Sequence, residues 1–458
     1  MMRNIFFALL FIASTGSLYV WAQEEPEFTI SEPFPLLEAF SKEAGIAINT
    51  QEPEILFTTI DNLLVDYDPT DPITGEESIE VLIGFFYNPE TLEQTAGPFV
   101  IVGNPRGNLR RHSVTYNAFT NQYFVGVTAE SYSPTGQRAP LMAIINPLSQ
   151  TGVGSPVVKA WAFDEETAQD YDDTAVAVSS NNGNLLFIAE YTPPGESEGV
   201  VGILYDGEGN QLTDATRLDQ LEPTRDEDDP DVFFLPENDV FLFITNIDPS
   251  TSNNRISATI IHPEPGPNGE LQQGEQQVVS QLRKEFDAGH PAATENPNTG
   301  EFIGVLDYGN GAEGGDIFYF TIGDAPDYIL TESRDQIPYF EASGGAPYAH
   351  RHPQIAYDPS SGVFAISHNA TGEYQGMVFT LLGPDGAILP GRPNDQPYPL
   401  VETLAPVSND ANYHDIAYDP WSESFIIIYS EQPDTKVVRL TIDSDHRGGS
   451  SVSDWMLK

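Results

Sequence analysis

Cysteine is absent from all 458 residues of this chain. That excludes disulfides, thiolate metal ligands, a thiol nucleophile and a lipid-modified N-terminal cysteine. Basic residues are scarce: 19 Lys and Arg stand against 69 Asp and Glu, a net charge of −50. Such a surface repels polyanions, so neither nucleic acid binding nor membrane insertion is expected. Long apolar runs are missing too. The run at residues 5–13 (IFFALLFIA) is too short to span a bilayer, and no other stretch reaches that length. A nucleotide-binding P-loop is likewise lacking.

The short apolar run has a different use. Arg3 precedes it, Val20-Trp21-Ala22 follows with small residues at −3 and −1, and the acidic Gln23-Glu24-Glu25 comes next. This is the layout of an export signal over residues 1–22, and it predicts a mature protein that is secreted or periplasmic. A disulfide-free exported chain needs a large core, and the roughly 430 remaining residues can bury one. The 26 Phe and 20 Tyr argue against disorder despite the charge.

Internal repetition organises the rest. Six segments share a layout, beginning Arg111-His112-Ser113-Val114, Asp173-Thr174-Ala175-Val176, Asp229-Pro230-Asp231-Val232, His290-Pro291-Ala292-Ala293, His352-Pro353-Gln354-Ile355 and Tyr413-His414-Asp415-Ile416. Their starts lie 62, 56, 61, 62 and 61 residues apart. In most of them a turn follows each start (Asn117-Ala-Phe-Thr-Asn121, Asn296-Pro-Asn-Thr-Gly300, Asp358-Pro-Ser-Ser-Gly362), then a β-rich run, an outer hairpin and a short fourth strand such as Gln277-Val-Val-Ser280. Four strands per repeat with no helical period predict an all-β chain folded as a single β-propeller.

A seventh unit is expected upstream, with Glu54-Ile55-Leu56-Phe57 and Leu63-Leu64-Val65 as inner strands and residues 79–86 and 99–102 as outer ones. Six blades plus an N-terminal extension is the alternative. The last repeat lacks a fourth strand, and Phe28-Thr29-Ile30-Ser31 is placed to supply it and close the ring. The propeller is thus expected over residues 23–443, followed by a Ser/Gly-rich flexible tail at 444–458. The stretch from His352 to Phe364 resembles the bacterial extracellular propeller repeats that read H-P-x-I-A-Y-D-P-x-x-G-x-F, a likeness covering residues ~50–443. It implies a fold and no particular activity. The S-x-D-x-G-x-T-W box typical of sialidases is absent.

In a propeller the first strand of each blade lies nearest the axis, so the residues opening these strands should ring one mouth of the channel. They are Arg111, His112, Asp173, Asp229, Asp231, His290, His350, Arg351, His352, Tyr413, His414 and Asp415. Five of the eight histidines fall here, far more than so small a part of the chain would hold by chance. Three readings stay open. The groups cap their own strands and bond neighbouring blades. Alternatively they bind a small polar ligand, carbohydrate foremost. As a third reading they catalyse attack on a polysaccharide.

Elimination would use Arg111 or Arg351 against a uronate, His290 or His352 as base and Tyr413 or His414 as acid. Hydrolysis would need a pair among Asp173, Asp229 and Asp415, about 5 Å apart for retention or about 6.5–9.5 Å for inversion. A surface protein is the remaining partner class, met by the blade sides.

Clustered carboxylates suit calcium. Asp226, Asp228, Asp229 and Asp231 crowd one strand start, and Asp170, Asp172 and Asp173 another, although neither follows the D-x-[DN]-x-[DN]-G loop. The His350/His352 pair could take a transition metal, without a specific spacing to support it. The string Gly309-Asn-Gly-Ala-Glu-Gly314 matches G-x-G-x-x-G but leads into another β-rich run, so it is expected to be a loop between strands.

Overall fold

A computed structural model describes residues 28–37, 41–64, 78–104, 108–130, 138–150, 156–160, 170–192, 198–218, 226–248, 255–281, 287–295, 302–310, 314–322, 330–331, 350–370, 376–384, 389, 398–399, 414–431 and 434–442. The expected signal segment and tail lie outside them. So do Tyr413 and the turn at 296–300.

The described strands form seven antiparallel sheets, six of four strands and one of five. Their innermost strands are Ser41–Asn49, Leu109–Asn117, Asp170–Val178, Asp226–Leu235, Asp287–Glu295, His350–Asp358 and His414–Asp419, blades 1 to 7 in that order. Each packs on the next and the seventh packs on the first, so the ring is closed. The chain is a β-propeller, and no helix occurs among the described residues. Nor, among them, is any helix long and apolar enough to cross a membrane.

Closure follows the expected route. Phe28–Ile30 pairs with the outer edge of Asp434–Ile442, Phe28 opposite Ile442. A second segment, Phe34–Leu37, continues along the same edge, with Phe34 opposite Val437. Ser31 spans the gap between them: its N–H donates to the Arg439 carbonyl, and its hydroxyl accepts from Arg439 N, both at 2.9 Å. Pro35 sits on this outermost edge, where a missing N–H leaves no ladder bond broken and blunts pairing with other chains.

The apolar core lies between blades. Phe86 of blade 1 packs on Tyr123 of blade 2, Phe124 on Phe187 of blade 3, and Ile426 of blade 7 on Ile46 of blade 1. Burying each such ring is worth about 2–3 kcal/mol, which replaces what disulfides would otherwise supply. Side-chain bonds lace the turn ends of neighbouring blades. Trp421 Nε1 donates to Asn49 O at 2.8 Å, Asn49 Nδ2 to Asn121 Oδ1 at 3.2 Å, and Asn117 Nδ2 to Gly183 O at 2.9 Å.

The repeated turns have a common chemistry. Asn49, Asn117, Ser179, Asp358 and Asp419 end their inner strands, and each accepts from a backbone N–H two residues on. This local bond competes with the ladder and starts the turn. In blades 2, 3, 4, 6 and 7 the turn closes on a left-handed residue: Asn121, Gly183, Asp239, Gly362 and Glu423 respectively. Asn, Asp and Gly accept that conformation readily.

Blade 1 corrects the sequence reading. Its innermost strand is Ser41–Asn49, and Glu54–Leu64 is one continuous second strand where two inner strands were expected. Ser41–Asn49 is built largely of small residues, because the axis is crowded. A Cβ on Gly45 would come within 2.8 Å of Thr58 Oγ1 and 3.0 Å of His112 Nε2. The G-x-G-x-x-G string behaves as expected: Phe302–Asn310 and Gly314–Ile322 pair as an antiparallel hairpin, Asn310 opposite Gly314.

Candidate functional site: the upper mouth of the axial shaft

Six of the seven innermost strands carry a bulge near their start. The ladder skips residues 42–43, 111, 173, 229–230, 290–291 and 352–353. This explains the repeated Asp-Pro and His-Pro pairs. Proline cannot donate to a ladder, so Pro230, Pro291 and Pro353 are tolerated only where the ladder is already broken. Arg111 and His352 hold equivalent places and both adopt left-handed backbone, with φ of 37° and 52°. A bulge re-aims the side chains it carries, here away from the sheet and toward the axis.

One cavity of about 520 Å³ results, and every innermost strand contributes to its wall. Glu43, Arg111, His112, Asp173, Asp231, His352, His414 and Asp415 line it, with Gln354 and the apolar Val176 and Phe233. Much of this polar wall is braced across blade boundaries. Glu43 accepts from the backbone N–H of Arg111 at 2.9 Å and of His112 at 3.1 Å, and lies 3.4 Å from His112 Nδ1. Nε2 of the fully buried His112 lies 2.9 Å from Thr58 Oγ1. Arg111 Nη1 pairs with Asp173 Oδ2 at 3.1 Å. Asp415 accepts from Ile46 N of the next blade at 3.0 Å, and Ser113 takes the same role for Val176 N at 2.9 Å.

The carboxyls are tuned apart. Burial pushes Asp231 up to about 8, aided by the negative charge of Asp415 and opposed by the Val232 N–H. Burial also raises Asp415, to about 6, against its two backbone N–H bonds and the attraction of His112. Glu43 goes the other way: burial would raise it, but the bond to His112, that residue's attraction and the Arg111 N–H together bring it below its ordinary value. A group that is easily kept neutral thus shares the shaft with groups that ionise more readily.

Of the residues expected at the mouth, Arg111, His112, Asp173, Asp231, His352, His414 and Asp415 share this cavity. Asp229, His290, His350 and Arg351 lie on the inner strands, but their side chains are outside the described residues, as is all of Tyr413. The sequence reading missed Glu43, Thr58 and Ser113. Glu43 stood on the strand that was overlooked, and the Asn49 turn, matching that at Asn117, was the available signal.

Among the described residues no group of three or more His, Asp and Glu is arranged to hold a metal. The side chains of Asp226, Asp228 and Asp229 are outside that set, and Asp231 lines the shaft. Asp172 and Asp173 face cations of the chain itself: Arg138 and Arg110 for the first, Arg111 for the second.

A bacterial protein of the same build has been solved. The chain superposes on a protein of unknown function from Dyadobacter fermentans with a TM-score of 0.51 at 9% identity, covering 91% of this chain and 99% of that one. The likeness is one of fold. Lower similarity links it to an α-L-arabinanase of Penicillium chrysogenum (TM-score 0.44, 10% identity, 90% and 98% covered). An oligogalacturonate lyase solved with manganese stands at the same score (9% identity, 91% and 98% covered). No family model and no curated protein matches the sequence.

Proposed function

We propose that this is an exported propeller that binds a small polar ligand of carbohydrate type in the upper cavity. The observation that carries the reading is the cavity itself: all seven blades send side chains to one space, and bulges direct them there. Arg111 offers donors, Asp173, Asp231 and Asp415 offer acceptors, and His352 and His414 serve as either, while Val176 and Phe233 give an apolar wall. That mixture suits a hydroxylated ring. His112 and Glu43, bonded to each other and to their surroundings, position the wall and are not counted as contacts. The N-terminal segment supports export.

The test is calorimetric titration of the mature protein with a panel of neutral and uronic oligosaccharides. His352→Ala and Arg111→Ala are expected to weaken the best ligand about tenfold or more with the melting temperature kept within about 2 °C. Equal binding by both variants, or no binding by any panel member, refutes the reading.

A second reading, glycoside hydrolysis, is favoured by the coupling of Asp231 and Asp415. A carboxyl held near 8 stays protonated at neutral pH and can act as general acid, while its partner near 6 acts as base. Under it, Asp231→Asn retains binding and abolishes reducing-end release.

A further inference from the structure

The shaft has a second mouth, and its chemistry is the reverse of the first. Where the inner strands end, a cavity of about 330 Å³ is lined by Ile46, Ile48, Thr50, Thr115, Tyr116, Ser180 and Tyr418 among others. Val114, Thr115, Val178 and Ser180 line both cavities, so the two adjoin along the axis. The first mouth carries Glu43, Arg111, Asp173, Asp231 and Asp415, whereas none of the described residues lining the second is charged. In a chain of net charge −50 an uncharged opening is a distinctive local choice.

Aromatic rings stand in its wall and in the turns beside it. Tyr116 and Tyr418 form part of the wall. The turns beside them carry Phe119 and Trp421, 63% and 37% exposed and among the few large apolar side chains so placed in the described residues. These rings are held in position. Tyr116 donates to Asn121 Oδ1 at 2.8 Å, and Trp421 Nε1 donates to Asn49 O at 2.8 Å. Thr50, Thr115 and Ser180 add hydroxyl-bearing side chains to the wall.

We propose that this lower mouth is a second binding site, separate from the upper one, for a neutral sugar ring. A pyranose presents apolar C–H faces and a belt of hydroxyls, which matches rings and aliphatic side chains interleaved with hydroxyls. An anion is disfavoured by Glu52 and Glu54, whose charges reach Tyr116 and help burial to raise its hydroxyl. Among the described residues of the wall itself there is no carboxylate to pair with a cation. The volume is at the lower end of ligand pockets, about 300–1,000 Å³, enough for a mono- or disaccharide end rather than a protein segment.

The test uses the full mature chain and an array of neutral di- and trisaccharides of glucose, galactose, mannose and xylose, with digalacturonate as the anionic control. Binding is read from tryptophan emission, with Trp421→Phe to assign the signal. A neutral saccharide is expected to change the emission. Tyr418→Ala and Phe119→Ala should weaken it about tenfold or more, Tyr418→Phe should largely restore it, and the upper-cavity variant His352→Ala should leave it unchanged. Digalacturonate should give no change. The proposal is overturned by any of three results: no response to any neutral saccharide, binding unaffected by Tyr418→Ala, or binding lost equally in His352→Ala. The last would assign the sugar to the upper cavity and leave that reading standing.

Discussion

Asp231 and Asp415 occupy equivalent places in blades 4 and 7 and face one cavity, yet they are held differently. Asp415 has a backbone N–H on each oxygen, Ile416 at 2.8 Å and Ile46 at 3.0 Å. Asp231 accepts from Val232 N alone among its described bonds, at 2.7 Å. Their folded values, about 6 and about 8, exceed the 3.8 of an ordinary Asp, so the native state keeps protons that the unfolded chain releases. Stability from this source is fully present below about pH 4 and is lost as pH rises through the folded values. Glu295, raised to about 7 by burial, adds to the same slope. Glu43, lowered in the fold, contributes the opposite way, its share disappearing in acid. The melting temperature should therefore fall between about pH 5 and pH 8, and Asp231→Asn should flatten that fall. Differential scanning calorimetry across the range decides it; an identical slope in the variant would mean that Asp231 titrates as if in water.

At the scale of the element, the bulge and the closing strand matter most. The sequence displayed the repeated His-Pro and Asp-Pro pairs plainly enough to mark strand starts. It did not disclose that each pair is a break in the ladder, because only the register Arg351/Gln354 or Asp228/Asp231 exposes the skipped residues. Ser41–Asn49 was missed for a related reason. Its Ala and Gly residues have low strand preference in isolation and are selected by the crowding of the axis, which is a tertiary condition. Phe28–Ile30, by contrast, was legible from simple accounting, since the last repeat was one strand short. Removing residues 28–37 should strip both segments from the edge of Asp434–Ile442 and leave its N–H and C=O groups unpaired. Such a variant is expected to melt at least about 10 °C lower and to self-associate. Light scattering on a sizing column would show the association, and an unaltered monomer would mean that the ring holds without its latch.

Across the whole molecule, 69 acidic side chains stand against 19 basic ones. Their mutual repulsion opposes compaction, and it is screened by salt. Raising sodium chloride from about 10 mM to about 1 M shortens the screening length from ~30 to ~3 Å. The melting temperature should rise by several degrees over that interval. A flat response would mean that the charges are already balanced locally, as Arg110, Arg138, Glu130 and Asp172 are at the junction of blades 2 and 3.

The chain's own pattern of residues determined the architecture: a four-strand repeat at near-constant spacing has few ways to bury its apolar faces, and a closed ring lets every blade stack on two neighbours. It also determined which residue types open each blade. Only the tertiary structure decided what those residues do. His112 and His352 look alike in sequence, but one is enclosed between Glu43 and Thr58 while the other stands on a left-handed bulge at the cavity. The difference arises from neighbours far away along the chain, brought together when the seventh blade meets the first.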